Sequence, residues 1–219
     1  MAENRLIAIG DIHGCSTALR SLLLAIDPRP GDTIVTLGDY VDRGPDSRGI
    51  VDQLIALRER TRLIPILGNH EEMMMQVIRG EQPYQAWLRF GGLETLESYG
   101  FSGDMKFLPP DHEAFFQSLV DFYVEDEFFF THASYNPTLP FEEQPSDLLR
   151  WHSLRDGVPA PHVSGKQVIV GHTANQSGEV LDAGHIICID TFCYGGGYLT
   201  ALDVRNRAIW QVTKEGFLR

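Results

Sequence analysis

Apolar and polar positions along the first two thirds of the chain repeat one unit: a short apolar run, a polar turn, then a stretch with helical spacing. Leu6 to Ile9 is apolar throughout and leads into Gly10-Asp11, after which Ala18 to Ile26 has helical periodicity. Thr33 to Leu37 leads into Gly38-Asp39. Ser47 to Arg60 follows, with Ile50, Val51, Leu54, Ile55 and Leu57 along one face. Leu63 to Leu67 leads into Gly68-Asn69, with a helix predicted over Glu71 to Arg79. Strands alternating with helices predict the α/β class, with a largely parallel sheet covered on both faces. From Gln82 to Pro110 the pattern loosens, and short helices and loops bordering a substrate cleft are expected there; residues 81–110 are read as a helical insertion. A helix near Asp111 to Asp121 and apolar runs at Phe128 to Phe130 and Val168 to Val170 come next. In the tail, His185 to Asp190, Tyr198 to Val204 and Ala208 to Val212 read as strands. The last two are joined by Arg205-Asn206-Arg207, a hairpin signal that predicts a second sheet with antiparallel pairing.

Five of the apolar runs end one or two residues before a residue able to ligate metal: Asp11, Asp39, Asn69, His132 and His172. Any one of these has an ordinary explanation, because Asp or Asn after a strand commonly makes a turn or caps a helix, and a single His is commonly a core or surface residue. Five in one register are harder to dismiss, since binding sites in α/β sheets form at the carboxyl ends of strands. Asp11 and His13 are two apart, so in an extended turn both side chains can face one ion. Asp39, a carboxylate, can give one oxygen to each of two ions. Asn69, His132 and His172 offer a neutral oxygen and two imidazoles. This donor set lacks thiolate and suits manganese first, with iron or zinc as alternatives, over calcium.

Composition changes the picture in three ways. With 219 residues and no linker-like stretch, one domain spanning 1–219 is expected, and a monomer without an added regulatory module. The net charge of −12 opposes any binding mode that neutralises many nucleic-acid phosphates, so a phosphorylated substrate needs a local positive centre such as bound divalent metal. No apolar run approaches a bilayer span, and the N-terminus lacks a basic start with a long apolar stretch, so no membrane association and a cytoplasmic location are expected. Cys15, Cys188 and Cys193 lack paired metal or redox spacing and are expected as reduced, mostly buried thiols.

Three blocks, Gly10-Asp11-Ile12-His13-Gly14, Gly38-Asp39-Tyr40-Val41-Asp42-Arg43-Gly44 and Gly68-Asn69-His70-Glu71, resemble the signatures of the phosphoprotein phosphatase branch of the calcineurin-like metallophosphoesterases, in its bacterial and phage lambda type. His132 and Gly171-His172-Thr173 follow in the order that family requires. The resemblance covers about residues 6 to 204. It implies a sandwich of two mixed β-sheets flanked by helices, with two divalent ions held by Asp11, His13, Asp39, Asn69, His132 and His172. The implied reaction is in-line attack on phosphorus by a metal-bridging hydroxide, the ions lying ~3.5–4 Å apart. His70 matches the family's general acid, Asp42 the carboxylate that holds it, and Arg43 a phosphate-binding arginine. Asn69 also faces the substrate phosphate in this scheme. A second phosphate arginine is expected shortly after a Trp; many bacterial relatives have it two places after, where this chain has Ser153. Arg155, and after it Arg150, are the candidates, while Tyr194 is a candidate lining residue.

The expected substrates are phosphoserine and phosphothreonine proteins or small phosphoesters. Symmetrical diadenosine tetraphosphate hydrolases resemble the same blocks but tend to carry Ala at the place of Asp42 and Asp at the place of Glu71. A non-catalytic metal-binding scaffold is the reading from another class. His112, His152, His162 and His185 are read as non-ligands, and Met73 to Met75 as helix core.

Overall fold

The computed structural model describes residues 4–219. Its strands are β1 (Leu6–Ile9), β2 (Thr33–Thr36), β3 (Arg62–Pro65), β4 (Phe122–Glu125), β5 (Phe128–Thr131), β6 (Gln167–Val170), β7 (Leu181–Asp182), β8 (Ile186–Cys188), β9 (Asp190–Thr191), β10 (Tyr198–Asp203) and β11 (Ile209–Val212). Its α-helices are α1 (Ser16–Ile26), α2 (Ser47–Arg58), α3 (Asn69–Ile78), α4 (Tyr84–Trp87), α5 (Leu93–Ser98), α6 (Pro110–Gln117) and α7 (Ser146–Trp151). One sheet runs β11-β10-β1-β2-β3, with β9 also paired to β10; the other runs β4-β5-β6-β8-β7. The three strands β1, β2 and β3 are mutually parallel, as are β5, β6 and β8.

Two-residue alternation explains the layers. Leu6 and Ala8 on β1, with Val35 on the neighbouring β2, face the second sheet and share a core with its Phe130, Ile169 and Ile187, while Ile7 and Ile9 face the helices and share a core with Leu19, Leu22, Ile50 and Leu54. A third cluster, with Phe129, Val168, Val170 and Ile186, packs the far side of the second sheet against Leu149 and Leu154. The two sheets therefore form a sandwich with helices outside, as the family resemblance implies. Because both faces of β1 are buried, its sequence is apolar without interruption; each such Leu or Ile contributes ~1.5–3 kcal/mol. No helix among the described residues is long and apolar enough to cross a membrane.

The tail differs from expectation. The antiparallel β10–β11 hairpin is present, but it joins the first sheet, where β10 pairs with β1 through Ile7↔Asp203 and Ala8↔Leu202. The reason is burial on two sides: Leu199 and Ala201 enter the helix-side core and Leu202 the inter-sheet core, which requires an interior seat. The run His185 to Asp190 also divides, with β8 in one sheet and β9 in the other. Strand β4 and helix α7 were not read from the sequence at all, and α6 ends at Gln117, short of Asp121. The loosened region is short helices α4 and α5 joined through a π-turn over Leu88–Gly92.

Candidate metal centre

The strand ends β1, β2, β3, β5 and β6 bring the predicted ligands to one edge of the sandwich. Close approach explains the glycine before each of two ligands: a Cβ on Gly68 would lie 2.2 Å from Asp39 Oδ1, and one on Gly171 would lie 2.0 Å from Asp11 Oδ1. Five predicted site residues, His13, Asp39, Asp42, Arg43 and His172, take positive φ. Such strained backbone concentrates where function over-determines it.

Three atoms converge with lone pairs outward. Asn69 Oδ1 lies 3.0 Å from His132 Nε2 and 3.1 Å from His172 Nδ1, and those two nitrogens are 3.2 Å apart. His132 Nδ1 donates to Leu37 O at 2.7 Å and His172 Nε2 donates to Trp151 O at 3.1 Å, so the nitrogens turned toward each other are acceptors. Three acceptors without a donor make a cation site. Asp39 stands between this triad and His13: its Oδ1 is 3.5 Å from His132 Nε2 and its Oδ2 is 3.4 Å from His13 Nε2. His13 Nδ1 donates to Val41 O at 2.9 Å, leaving Nε2 as another outward lone pair. The His70 Nε2 is 3.9 Å from Asp39 Oδ2, so His70 belongs to the same cluster.

Asp11 accepts the backbone N–H of His172 at 3.0 Å. Burial, then the charges of Asp190 and Asp39, hold its carboxyl well above the usual range. Asp190 is buried as well and accepts the Phe192 backbone N–H at 3.1 Å, and burial pushes it up to about 6. Such a cluster of buried carboxyls calls for positive charge. The donor set and this acid excess both fit divalent metal. Asp190 escaped the sequence reading although it obeys the same rule, a polar residue at the end of an apolar run. Glu71 was placed in a motif without a role; its carboxylate accepts backbone N–H groups of Gly68, Asp39, Tyr40 and Val41 at 3.1, 2.9, 2.7 and 3.1 Å. It pins the turn that carries Asp39. Helix α7, also missed, orients two ligands, since Leu149 O accepts from Ala133 N beside His132 and Trp151 O accepts from His172.

Asp42 Oδ2 accepts from His70 Nδ1 at 2.7 Å, with both side chains buried. Burial acts to lower the His70 pKa, but Asp39 and Asp42 outweigh it and the ring titrates above its ordinary value. With both rings neutral, the Arg43 guanidinium donates to His70 Nε2 at 2.9 Å and to His13 Nε2 at 3.1 Å, and it lies 4.6 Å over the Tyr194 ring; protonation of His70 turns its Nε2 into a donor and ends the first of these bonds. Tyr194 also meets His13 edge-on at 5.0 Å. The other two arginines part ways. Arg150 is engaged by Glu72 and by Asp121 at 2.6 Å, so its fork is committed to carboxylates. Arg155 is exposed, in a short turn packed against Thr173 through the Leu154 N–H at 2.9 Å, and its guanidinium donates to Ala174 O, two residues past His172, with no carboxylate partner among the described residues. Of the histidines read as non-ligands, His112 bonds Asp52 and Tyr99, His162 bonds Leu139 O, and His185 bonds Pro159 O. Met73 and Met74 are in the core, and all three cysteines are buried and free of disulfides.

Residues 4–203 match the calcineurin-like phosphoesterase family. The chain belongs to that family. Its His and Asp groups include two sets, His13 with Asp39 and His70, and Asp39 with His132 and His172, that are placed to hold metal. It is 38% identical over 86 residues to serine/threonine-protein phosphatase 1 of Salmonella typhimurium, a match covering 38% of this chain and 37% of that one. It is 40% identical over 76 residues to a symmetrical bis(5'-nucleosyl)-tetraphosphatase of an Acidovorax species, covering 34% of this chain and 26% of the other. The matched segments thus span roughly a third or less of these curated relatives. A solved structure described as a candidate diadenosine tetraphosphatase superposes with a TM-score of 0.72 at 24% identity, covering 96% of this chain and 94% of its own, and bears out the two-sheet fold.

The ligand imidazoles carry a pH consequence. Burial holds His13 and His132 below the ordinary histidine value and lowers His172 to about 4. A lowered pKa means the neutral, ligating form persists as pH falls, so protons compete with metal only below the ordinary range near ~6.5. Asp11, whose carboxyl burial holds well above its usual range, is the ligand left to take up a proton, so calorimetric titration of the metal-free Asp11→Asn variant with Mn²⁺ is expected to give little change in affinity between pH 7.5 and 6, after buffer protonation is subtracted. A tenfold or greater loss over that interval would show ordinary, solvent-like histidines instead.

Proposed function

We propose that the chain is a metal-dependent phosphomonoesterase whose preferred substrates are phosphoserine and phosphothreonine in proteins. The observation that carries this reading is the buried His70–Asp42 pair at 2.7 Å beside the ligand cluster. A serine or threonine alkoxide is a poor leaving group and needs a proton as it departs, whereas a nucleotide leaving from a polyphosphate is stable as an anion. An imidazole backed by a carboxylate meets the first need. The relative named serine/threonine-protein phosphatase 1 supports the same choice.

In this reading Asp11, His13, Asp39, Asn69, His132 and His172 hold two divalent ions, with manganese favoured by the mixed oxygen and imidazole set. Bound there, such ions supply Lewis acidity toward the phosphoryl group and toward water. Arg43 grips phosphate oxygens with its planar fork, helped by Asn69 and by Arg155 in preference to Arg150, while Tyr194 supports Arg43 from beneath. His70 donates from Nε2 to the leaving oxygen, while its Nδ1–H stays on the ring, hydrogen-bonded to the Asp42 carboxylate.

The deciding measurement compares kcat/KM on a phosphoserine peptide, a phosphotyrosine peptide and diadenosine tetraphosphate with Mn²⁺ supplied. The phosphoserine peptide is expected to be turned over fastest. A higher value on the dinucleotide, favoured by the tetraphosphatase relative, would overturn the assignment. Metal bound without turnover of any ester would indicate a scaffold.

A further inference from the structure

Residues 84 to 98 carry none of the candidate ligands, yet they enclose the Asp42 carboxylate. Trp87 Nε1 donates to both carboxylate oxygens, at 3.0 Å to Oδ1 and 2.9 Å to Oδ2. Thr95 Oγ1 donates to Oδ1 at 2.7 Å and accepts the Asp42 backbone N–H at 2.8 Å, which directs its own proton to the carboxylate. Ser47 Oγ, 3.0 Å from Thr95 Oγ1, completes the set. Among the described residues, every donor to the Asp42 carboxylate except His70 therefore comes from this segment, while Ser47 Oγ accepts the Asp42 backbone N–H at 3.2 Å. The same stretch ties down Arg43, whose backbone N–H donates to Gly91 O at 3.2 Å, and Phe90 sets its ring edge-on to His70 with centroids 6.4 Å apart.

Two glycines make the closure possible. A Cβ on Gly91 would lie 2.5 Å from the Arg43 nitrogen, and one on Gly92 would lie 2.6 Å from the Trp87 ring. Trp87 is 1% exposed and Thr95 is fully buried, so neither can exchange its partner for water.

Resting on the phosphomonoesterase reading above, we propose that Trp87 and Thr95 are positioning residues for the proton donor. A carboxylate with one hydrogen bond to an imidazole can rotate about its own bond and offer either oxygen. The Trp87 N–H, spanning both oxygens, fixes the carboxylate plane, and Thr95 occupies Oδ1. Only Oδ2 is left for His70 Nδ1, so the ring is held in one orientation with Nε2 toward Arg43 and Asp39. Preorganisation of this kind acts on the step that needs a proton and leaves the binding of phosphate aside.

The alternative is that Trp87 simply fills space. The manganese-loaded enzyme distinguishes the two with Trp87→Phe, which keeps the ring and removes the N–H, and with Thr95→Val and Thr95→Ser, which remove and keep the hydroxyl. Phenyl phosphate, whose leaving group needs protonation, is compared with dinitrophenyl phosphate, whose leaving group does not. The ratio of kcat on the first to kcat on the second is expected to fall roughly tenfold in Trp87→Phe and in Thr95→Val, with KM little changed, and to return in Thr95→Ser. Equal losses on both esters, or an unchanged ratio, would overturn the proposal. Should Trp87→Phe fail to fold, the Val and Ser pair at Thr95 reads the same ratio. A wild type that hydrolyses neither ester overturns the reading of the site itself and this inference with it; an active wild type whose variants lose equally overturns the inference alone.

Discussion

Replacing Asp39 with asparagine is expected to weaken metal binding at both halves of the cluster together, by roughly 100-fold or more at each, or ~3 kcal/mol per ion. Asp39 is the one candidate ligand whose two oxygens face different partners, Oδ2 toward His13 and Oδ1 toward His132. An amide has no formal charge and only one acceptor atom, so the ion on its nitrogen side loses a ligand while the other loses the shared negative charge. Comparison variants make the result specific. His13→Asn should empty chiefly one half, and His172→Asn chiefly the other. Elemental analysis after gel filtration, with calorimetric titration of each variant, reads the two occupancies, and circular dichroism checks that the fold is retained. Full occupancy at both halves in Asp39→Asn would rule out a bridging role.

His70→Asn should instead leave metal in place and remove the chemistry. With a phosphoserine peptide kcat is expected to fall by ~10²–10⁴, the usual contribution of a positioned acid. The imidazole is buried and bonded to Asp42 at 2.7 Å, and in the metal-free chain Asp39 and Asp42 outweigh burial and raise its pKa. Asparagine can hydrogen-bond but cannot deliver a proton to an alkoxide. His70 also lies 3.9 Å from Asp39 Oδ2, close enough for a ligand, and a ligating histidine often carries a carboxylate on its other nitrogen. Metal content separates the two roles. Loss of one ion in His70→Asn would make His70 a ligand, and an unchanged kcat would remove it from the reaction.

Much of the centre was legible in the sequence because its ligands are tied to strand ends. A strand buried on both faces is mostly apolar along its length, so its carboxyl end shows as the first polar residue after the run; Asp11, Asp39, Asn69 and His172 have that place, and His132 stands one residue further on, after Thr131. Asp190 has it too, after Ile186 to Ile189, but as the sixth such residue it had no motif to single it out. Glu71 was visible as a letter in a motif, while its function, four backbone N–H groups held from residues 39–41 and 68, depends on two loops distant in the chain.

By itself the sequence determined the alternation of strands and helices and the register of ligands at strand ends. These follow from local rules, since periodicity reports which faces are buried, whereas the need for glycine at 68 and 171 comes from the approach of Asp39 and Asp11 across the fold. Tertiary structure alone decided which strands pair, seating the tail hairpin beside β1 and dividing β8 from β9. It also chose the partners of the acid, since nothing local in Trp87 or Thr95 distinguishes a core aromatic or a buried hydroxyl from a hydrogen-bond donor to Asp42. Pairings across 45 and 53 residues are set by the packing of the whole chain, because a buried charge takes whichever donors the fold brings to it.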